Sequence, residues 1–478
     1  MSRDLIFIDD YIKSNNLEYL AMDFFLEQKR SRSSNELNEK QKTKAQIQGA
    51  QALRVGILRK RLGLSLREFC LAVAVAPLYQ WFCGINRFSS AEIFTKSYVN
   101  TLENTLSDKF LKDLNVESNR ALFNKDSCQK MGFDEEFNLN NLYADPTCIK
   151  ANIHYPVDWV LFRDLIRTSM LKVTLIRDAG INVRMSETPK EFISKINNLC
   201  IKMSMNYRTK DAKKKRKSTF REMVKLLNCV LGHAKSHMEK LSKNLGQANM
   251  SLVKAMDIID TLEDLLRKAP DVILVARKRI ISEKIILREE KILSIYENEV
   301  HIITRHKDGA RSEFGNTMQL VEQRDGFIVD YDLLEEYSPG DSNLFIESLD
   351  RIAKNYGLSG VKSVCGDRGC DSKKVREKIE DLNEKFNVNI LNTVAPRSST
   401  ELVEKLKDDE FSKHQGRRAS TESRIATTKR ICGNPMKQKG IRNRQVHLGW
   451  SVFSHNLFKA AKLNREQDRL KIEPPIAA

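Results

Sequence analysis

The stretch VCGDRGCDS, residues 364–372, decides the fold. It joins an apolar run, VKSVCG, to KKVREKIEDLNEKF, whose apolar residues recur at helical spacing; a second short apolar run, VNILNTV, follows. Strand, turn, helix and strand in that order give a layered α/β arrangement. Upstream, KILSIY, VHIIT, FGNTMQLVE and GFIVDYDLL have strand length and period, with KDG and RDG turns among them. LFIESLDRIAKNYG then predicts a helix ending at Gly357. Antiparallel strands followed by alternating helix and strand predict a mixed sheet. Asp367 falls just past the buried strand, where side chains point into a shared crevice. It could instead cap its own turn, although Asp371 and Ser372 are better placed to cap the helix that starts there.

Working outward, GRRASTESRIATTKRICGNPMKQKG, residues 416–440, holds one acid, Glu422, on a helical segment. Between Ser412 and Val446 there are ten Lys or Arg and this single acid. Such a surface suits phosphates, and a lone carboxylate on it suits a hard cation. An ordinary ion-pair role for Glu422 is the alternative. Lys429 follows two helical turns later on the same side, within reach of a phosphate near Glu422. In YADPTCIKANIHYPVDWVLFRDLIR, residues 143–167, Asp145 lies near a candidate strand, yet Asp-Pro alone reads as a turn. Other acids compete for such a site. Glu297 and Glu299 sit at a strand end, Asp330 lies on a strand, and Asp341 after Pro-Gly looks like a helix cap.

Between these boxes, residues 157–290 predict a long helical block. Phe220, Met223, Leu227, Val230 and Leu231 form a stripe continued by Met238, Leu241 and Leu245, and Pro270 is expected to break the pattern. The basic run RTKDAKKKRK, residues 208–217, reads as an exposed segment near phosphates, or less directly as a nuclear-localisation signal. At the N-terminus a short amphipathic piece precedes the polar stretch QKRSRSSNELNEKQKTKAQ, a linker or a solvated helix. From Leu53 a helix runs to a break at Gly63. Ser65 and Glu68 then offer a capping box to a helix burying Leu66, Phe69, Cys70 and Val73, and a turn at Pro77 precedes LYQWFCGI. These helices predict a helix-turn-helix-like DNA-binding unit, or equally three packed helices with no DNA role.

The whole chain fits a polyanion partner. Its 478 residues call for several domains, and 81 Lys and Arg against 63 Asp and Glu leave a net charge of +18. Binding nucleic acid neutralises phosphates and releases counterions, although a basic surface can also serve solubility alone. Nine scattered cysteines without a Cys-x-x-Cys pair argue against a zinc ribbon or a disulfide framework and suit a reducing cytosol. The first residues lack a signal-peptide layout, and no run approaches the ~20 apolar residues that span a bilayer. A soluble, intracellular protein is expected.

The boxes together resemble the DDE transposases of bacterial insertion sequences, which have a ribonuclease-H-like catalytic core. DPTCIKANIHYPVDW is similar to the first-aspartate box, a D-[SP]-T opening followed by N-I-H-Y-P. CGDRGCDS is similar to the second, and RRASTESRIATTKR resembles the glutamate box with its basic residue seven positions on. SIYENEVHIITR and ARSEFGNTMQLVE look like the strands before the second box, and LSLREFCLAVAVAPLYQWFCGI like the N-terminal helices. The resemblance covers about residues 50–462. It departs at position 370, where Cys replaces the usual aromatic.

The resemblance implies that Asp145, Asp367 and Glu422 are catalytic and bind two Mg²⁺ or Mn²⁺ ions. It makes Arg368, Arg417, Arg418, Arg424 and Lys429 candidate DNA contacts, Lys429 best supported. More than 200 residues separate Asp145 from Asp367, so the core is expected to be split by a helical insertion that supplies DNA contacts, a dimer surface or only a spacer. The expected segments are 1–50 (helix and linker), 51–135 (helical DNA-binding domain), 136–156 with 291–462 (ribonuclease-H-like domain), 157–290 (insertion) and 463–478 (tail). The expected function is to bind the terminal inverted repeats of an insertion sequence, cleave the DNA and join its 3′ ends to target DNA. Such a protein acts as a homodimer on the DNA, in the bacterial cytosol or nucleoid. A transposase-derived DNA-binding protein without catalysis, or a stand-alone nuclease, is the alternative. A structural protein with a fortuitous basic surface is disfavoured by the ordered boxes.

Overall fold

Residues 1–85, 94–205, 211–304 and 312–472 are described by the computed structural model. The KDG turn, the first three residues of the basic run and the last six of the tail lie outside them. The chain divides into two compact units, one of Met1–Asn152 with Ile303–Ala478 and one of Ile153–Ile302.

In the first unit, eight helices among the described residues precede the sheet: α1 (Ser2–Ser14), α2 (Leu17–Ser31), α3 (Glu39–Leu62), α4 (Leu66–Val75), α5 (Pro77–Phe82), α6 (Lys96–Thr105), α7 (Asp108–Leu122) and α8 (Lys125–Lys130). Local sequence sets their ends. Asn38 and Gln41 close a capping box on α3, Gly63 ends it at φ 65°, and Ser65 with Glu68 closes a second box on α4. The polar stretch is thus two helix ends and a short joint. Phe69, Val73 and Phe82 join a core with Leu53 and Ile57 of α3 and with Trp450, Phe453 and Leu457 of the last helix, α17 (Ile441–Ile472). The tail from residue 463 continues that helix as far as the described residues run.

The sheet comprises β1 (Asn141–Lys150), β2 (His301–Thr304), β3 (Ser312–Gln323), β4 (Ile328–Leu333), β5 (Ser363–Cys365) and β6 (Leu391–Asn392). Its order is β2-β3-β1-β5-β6, with β4 also on β3. β1 is antiparallel to β3 and parallel to β5, which is parallel to β6. The fold is therefore α/β with a mixed sheet. Gly315 allows the close approach of β3 to β1, since a Cβ there would stand 1.9 Å from the Ile149 carbonyl oxygen. Gly326 makes the RDG turn between β3 and β4 at φ 91°.

Helices cover both faces of the sheet. α13 (Asp341–Tyr356) and α14 (Lys373–Phe386) bury Phe345, Leu349, Val375 and Ile379 against Leu142, Ala144, Val321 and Val364. On the other face, α16 (Asp409–Cys432) and α17 bury Ile425, Leu448 and Val452 against Ile149, Met318 and Leu320. The short α15 (Ser399–Lys405) precedes α16.

The second unit consists of α9 (Asp158–Asp178), α10 (Pro189–Met205), α11 (Ala212–Lys243) and α12 (Leu252–Ile280) around its own apolar core. The stripe from Phe220 to Leu241 lies in that core. Two expectations are corrected here. Pro270 does not end a helix but lies inside α12 on its exposed side, while Leu262, Leu265, Ala269 and Val272 stay buried. The hydrogen bond that proline removes is on the solvent side, where water can replace it. KILSIY is not a strand, because Ile295 and Ile292 pack into the helical core instead. The described part of the basic run is partly neutralised, with Lys213 and Lys217 paired to Glu283 at 2.9 and 2.8 Å. Among the described residues no helix is long and apolar enough to cross a membrane.

Candidate active site

Asp145 is not in a turn. It occupies the middle of β1, opposite Leu320 of β3, followed by Pro146. A proline there is tolerated because of where its nitrogen points. Ala151 N donates to Phe314 O on the β3 side, whereas the Asn140 carbonyl accepts from Lys362 and Ser363 on the β5 side. Odd-numbered residues of β1 therefore direct N–H toward β3 and even-numbered ones toward β5. β5 pairs only as far as Tyr143–Cys365, so Pro146 costs no ladder bond. Alternation also sorts the side chains. Leu142 and Ala144 face α13 and α14, and Tyr143, Asp145 and Thr147 share the face of Ile149, toward α16.

Continuing the parallel register two residues past Tyr143–Cys365 sets Asp145 level with Asp367. Asp367 begins the turn after β5, and its Oδ1 accepts from the amides of Gly369 and Cys370 at 2.9 and 3.3 Å. Asp367 thus caps its turn, while Ser372 caps α14 and Asp371 pairs with Arg376. A third carboxylate meets this turn. Asp341, the first residue of α13, approaches so closely that a Cβ on Gly369 would be 2.3 Å from its Oδ2 and 3.1 Å from Asp367 Oδ1. Cys370 registers the accumulated charge. Burial first, then Asp367, Asp341 and Asp145, hold its thiol well above the ordinary cysteine range. Cys370 sits with Phe345 against Gly366.

α16 packs on the Ile149 face of the sheet. Asp408 caps its start, Gly433 follows its end, and between them Ile425 points into the sheet. At 100° per residue, Arg418, Glu422 and Lys429 lie roughly 20–60° to one side of Ile425, and Arg417 and Arg424 roughly 80–100° to the other. Hydrogen bonds identify the sides. Gln415, on the side of Glu422, donates to Thr393 O at 2.7 Å and to Cys365 Sγ, so that side faces β5 and the Asp367 turn. Lys429 Nζ donates to Thr147 Oγ1 at 2.8 Å, joining α16 to β1. Tyr143 Oη lies 3.1 Å from His414 Nδ1, and burial moves the pair apart in acidity, pushing the phenol up to about 12 and the imidazole down.

The opposite side is anchored. Glu322 of β3, fully buried, receives Arg417 at 2.9 Å and Arg424 at 3.2 Å, and accepts from Thr421 Oγ1 at 2.9 Å. Arg417 also donates to Arg324 O at 2.6 Å and stacks on the Tyr143 ring, 4.7 Å from its centroid. Arg417 and Arg424 therefore fasten the helix to the sheet. Arg368 is exposed beside Asp367, and Arg418 reaches Gln415 at 3.3 Å. Glu422 is exposed and makes no ion pair among the described residues.

Asp145, Asp367 and Glu422 thus lie on a strand, just past a neighbouring strand's end and on the helix that packs on that part of the sheet. As they stand, no group of three or more His, Cys, Asp or Glu among the described residues is arranged to hold a metal ion. Of the competing acids, Asp330 is taken by Arg351 at 2.7 and 2.9 Å, and Glu297 and Glu299 belong to the inserted unit. Asp341, expected as a cap, is the first residue inside α13, with Gly340 at the cap position, and it meets the Asp367 turn. Glu322 and Thr147 carried no sequence signal beyond a polar residue on an apolar strand. No family model, no curated protein and no solved structure matches this chain.

Proposed function

We propose that this protein is a metal-dependent DNA transposase of the DDE type, with a ribonuclease-H-like core split by the helical unit 153–302. One observation carries the reading: Asp145 of β1 stands level with Asp367 just past β5, and α16, which bears Glu422, is tied to the same strand by the hydrogen bond from Lys429 to Thr147. Carboxylate oxygens are the donors that Mg²⁺ and Mn²⁺ prefer, so the residues suit such ions in kind, although their side chains are not gathered into a metal site as they stand. Asp145, Asp367 and Glu422 would hold two such ions, with Asp341 near enough to adjust Asp367. When bound, the ions would supply activation of a water or 3′-hydroxyl and stabilisation of the leaving oxygen.

The chain's own residues do the rest. Lys429, tied to Thr147, stands on the side of α16 that carries Glu422, where an ammonium can meet a phosphate. Arg368 and Arg418 border the same side. Glu322 fixes α16 on the sheet through Arg417 and Arg424, which makes those two positioning residues. Acting on two element ends calls for a homodimer on double-stranded DNA, in the bacterial cytosol or nucleoid.

The test uses a DNA fragment carrying the flanking terminal inverted repeats, with Mg²⁺ or with EDTA. Cleavage and joining should need the metal and be lost in Asp367→Asn, Asp145→Asn and Glu422→Gln. Cleavage without joined products would mark a nuclease. Metal-independent binding alone would mark a non-catalytic derivative, and activity unchanged in Asp367→Asn would end the assignment.

A further inference from the structure

A second cationic feature lies away from the carboxylate crevice. A cavity of about 560 Å³ opens between the end of α3, the outer side of α16 and the middle of α17. Lys60, Arg61, Arg424, Arg430, Lys459 and Lys462 line it, and among the described residues no Asp or Glu does. Little of this charge is neutralised by ion pairs, although burial brings the Lys60 ammonium down to about 7. Arg424 shares Glu322 with Arg417, and Lys462 meets Glu466 at 3.5 Å in an exposed pair of little worth. The Arg61 guanidinium lies over the Phe458 ring, 4.7 Å from its centroid. Arg430 and Lys459 make no ion pair among the described residues.

The wall also holds an orphan. Ser454 Oγ is buried without a hydrogen-bond partner, although its residue lines the cavity. His455 adds no charge. Burial takes its imidazole down to about 4, and Nε2 lies 3.3 Å from the Gly326 carbonyl oxygen. Burial, with Arg424 and Lys462 adding to it, also lowers the Lys459 ammonium below its ordinary value, so an anion would relieve the site.

We infer that this cavity is a seat for the phosphodiester backbone of DNA, separate from the carboxylate crevice. Three elements supply the cations, and the volume is many times the ~30 Å³ of one water, which suits successive phosphates better than one small anion. Thr427, Arg430 and Ile431 leave α16 on the side away from the sheet, and Arg424 leaves it at the edge, where it also reaches Glu322. The helix thus separates the two sites by its own thickness. The inference rests on DNA as the partner proposed above, and not on the carboxylates being catalytic.

The experiment is anisotropy of a labelled DNA duplex in EDTA over a salt series, so that nothing is cleaved. Arg430→Gln/Lys459→Gln/Lys462→Gln is compared with Lys373→Gln/Lys374→Gln/Lys385→Gln, an equal removal of charge on α14. Each phosphate that the protein ceases to neutralise lowers the slope of log K against log salt by about 0.9. The cavity variant should therefore flatten the slope by roughly 2–3, and the α14 variant by less than one. Equal slopes in the two variants, or no change in either, would overturn the inference. So would stabilisation of the wild type by inorganic phosphate that disappears in the cavity variant without any change in DNA slope, which marks a small-anion site. If cleavage fails while the cavity variant still flattens the slope, the catalytic proposal falls and this one stands. A wild type without salt-dependent binding refutes this one.

Discussion

Glu322→Gln removes a charge and almost no volume from the anchor of α16. The carboxylate is fully buried, while the Arg417 and Arg424 side chains retain 21% and 24% of their exposure. Breaking a fully buried pair by removing one partner costs about 3–5 kcal/mol. Water can still reach these arginines, and the amide keeps an oxygen for Thr421, which brings the expected cost to about 2–3 kcal/mol. Arg424 approaches Glu322 without hydrogen-bond geometry, so Arg417 should carry the larger share. The destabilisation falls on one helix, and amide hydrogen exchange along α16 is the assay that isolates it. At about 1.4 kcal/mol per decade, the amides from His414 to Thr428 should exchange roughly 30- to 150-fold faster, with α14 unchanged. Adding Arg417→Gln should cost little more, because its partner charge is already gone. Exchange within threefold of wild type would refute the idea that this carboxylate holds the helix.

Gly369→Ala should displace the carboxylates of Asp341 and Asp367, the first of which lies 2.3 Å from the new Cβ. Metal-dependent cleavage should fall at least tenfold while the thermal midpoint barely moves, since the ends of side chains yield more easily than backbone. His455 gives the fold an acid limit. Above about pH 6.5 it is neutral whether folded or not; as the pH falls toward 4 only the unfolded chain takes the proton, so stability declines across that window. Urea titrations should show a shallower decline in His455→Gln, and an unchanged decline would remove this cause. Pro270→Ala should raise the stability of the helical unit by up to about 3 kcal/mol, read as slower amide exchange in α12.

Where sequence and structure agree, the signal was local. Ser65 and Glu68, Gly63, Gly357 and the helix over Lys373–Phe386 depend on a few adjacent residues and were legible from them. Asp145 was not, because Asp-Pro is a turn signal unless the proline nitrogen faces the unpaired side of a strand, and only the sheet order reveals that side. Pro270 and KILSIY failed for a related reason: tertiary burial outweighed local preference. The chemistry was half legible. Asp367 after a strand and Glu422 on a basic helix could be located from the sequence as candidates, whereas the approach of Asp341 and the burial of Glu322 arise from packing between segments.

The helical unit occupies the connection between β1 and β3, two antiparallel neighbours paired from Leu142–Gln323 to Lys150–Gly315. During synthesis β1 must therefore wait for about 160 residues before its partner emerges, roughly 8–30 s at ordinary elongation rates. The N-terminal helices wait longer, since Trp450 and Phe453 of the last helix complete their core. The insertion, with every helix contiguous in the chain, can finish folding while both halves of the other unit are still open. Ribosome-bound intermediates should accordingly show a protected 153–302 segment long before α3 becomes resistant to protease.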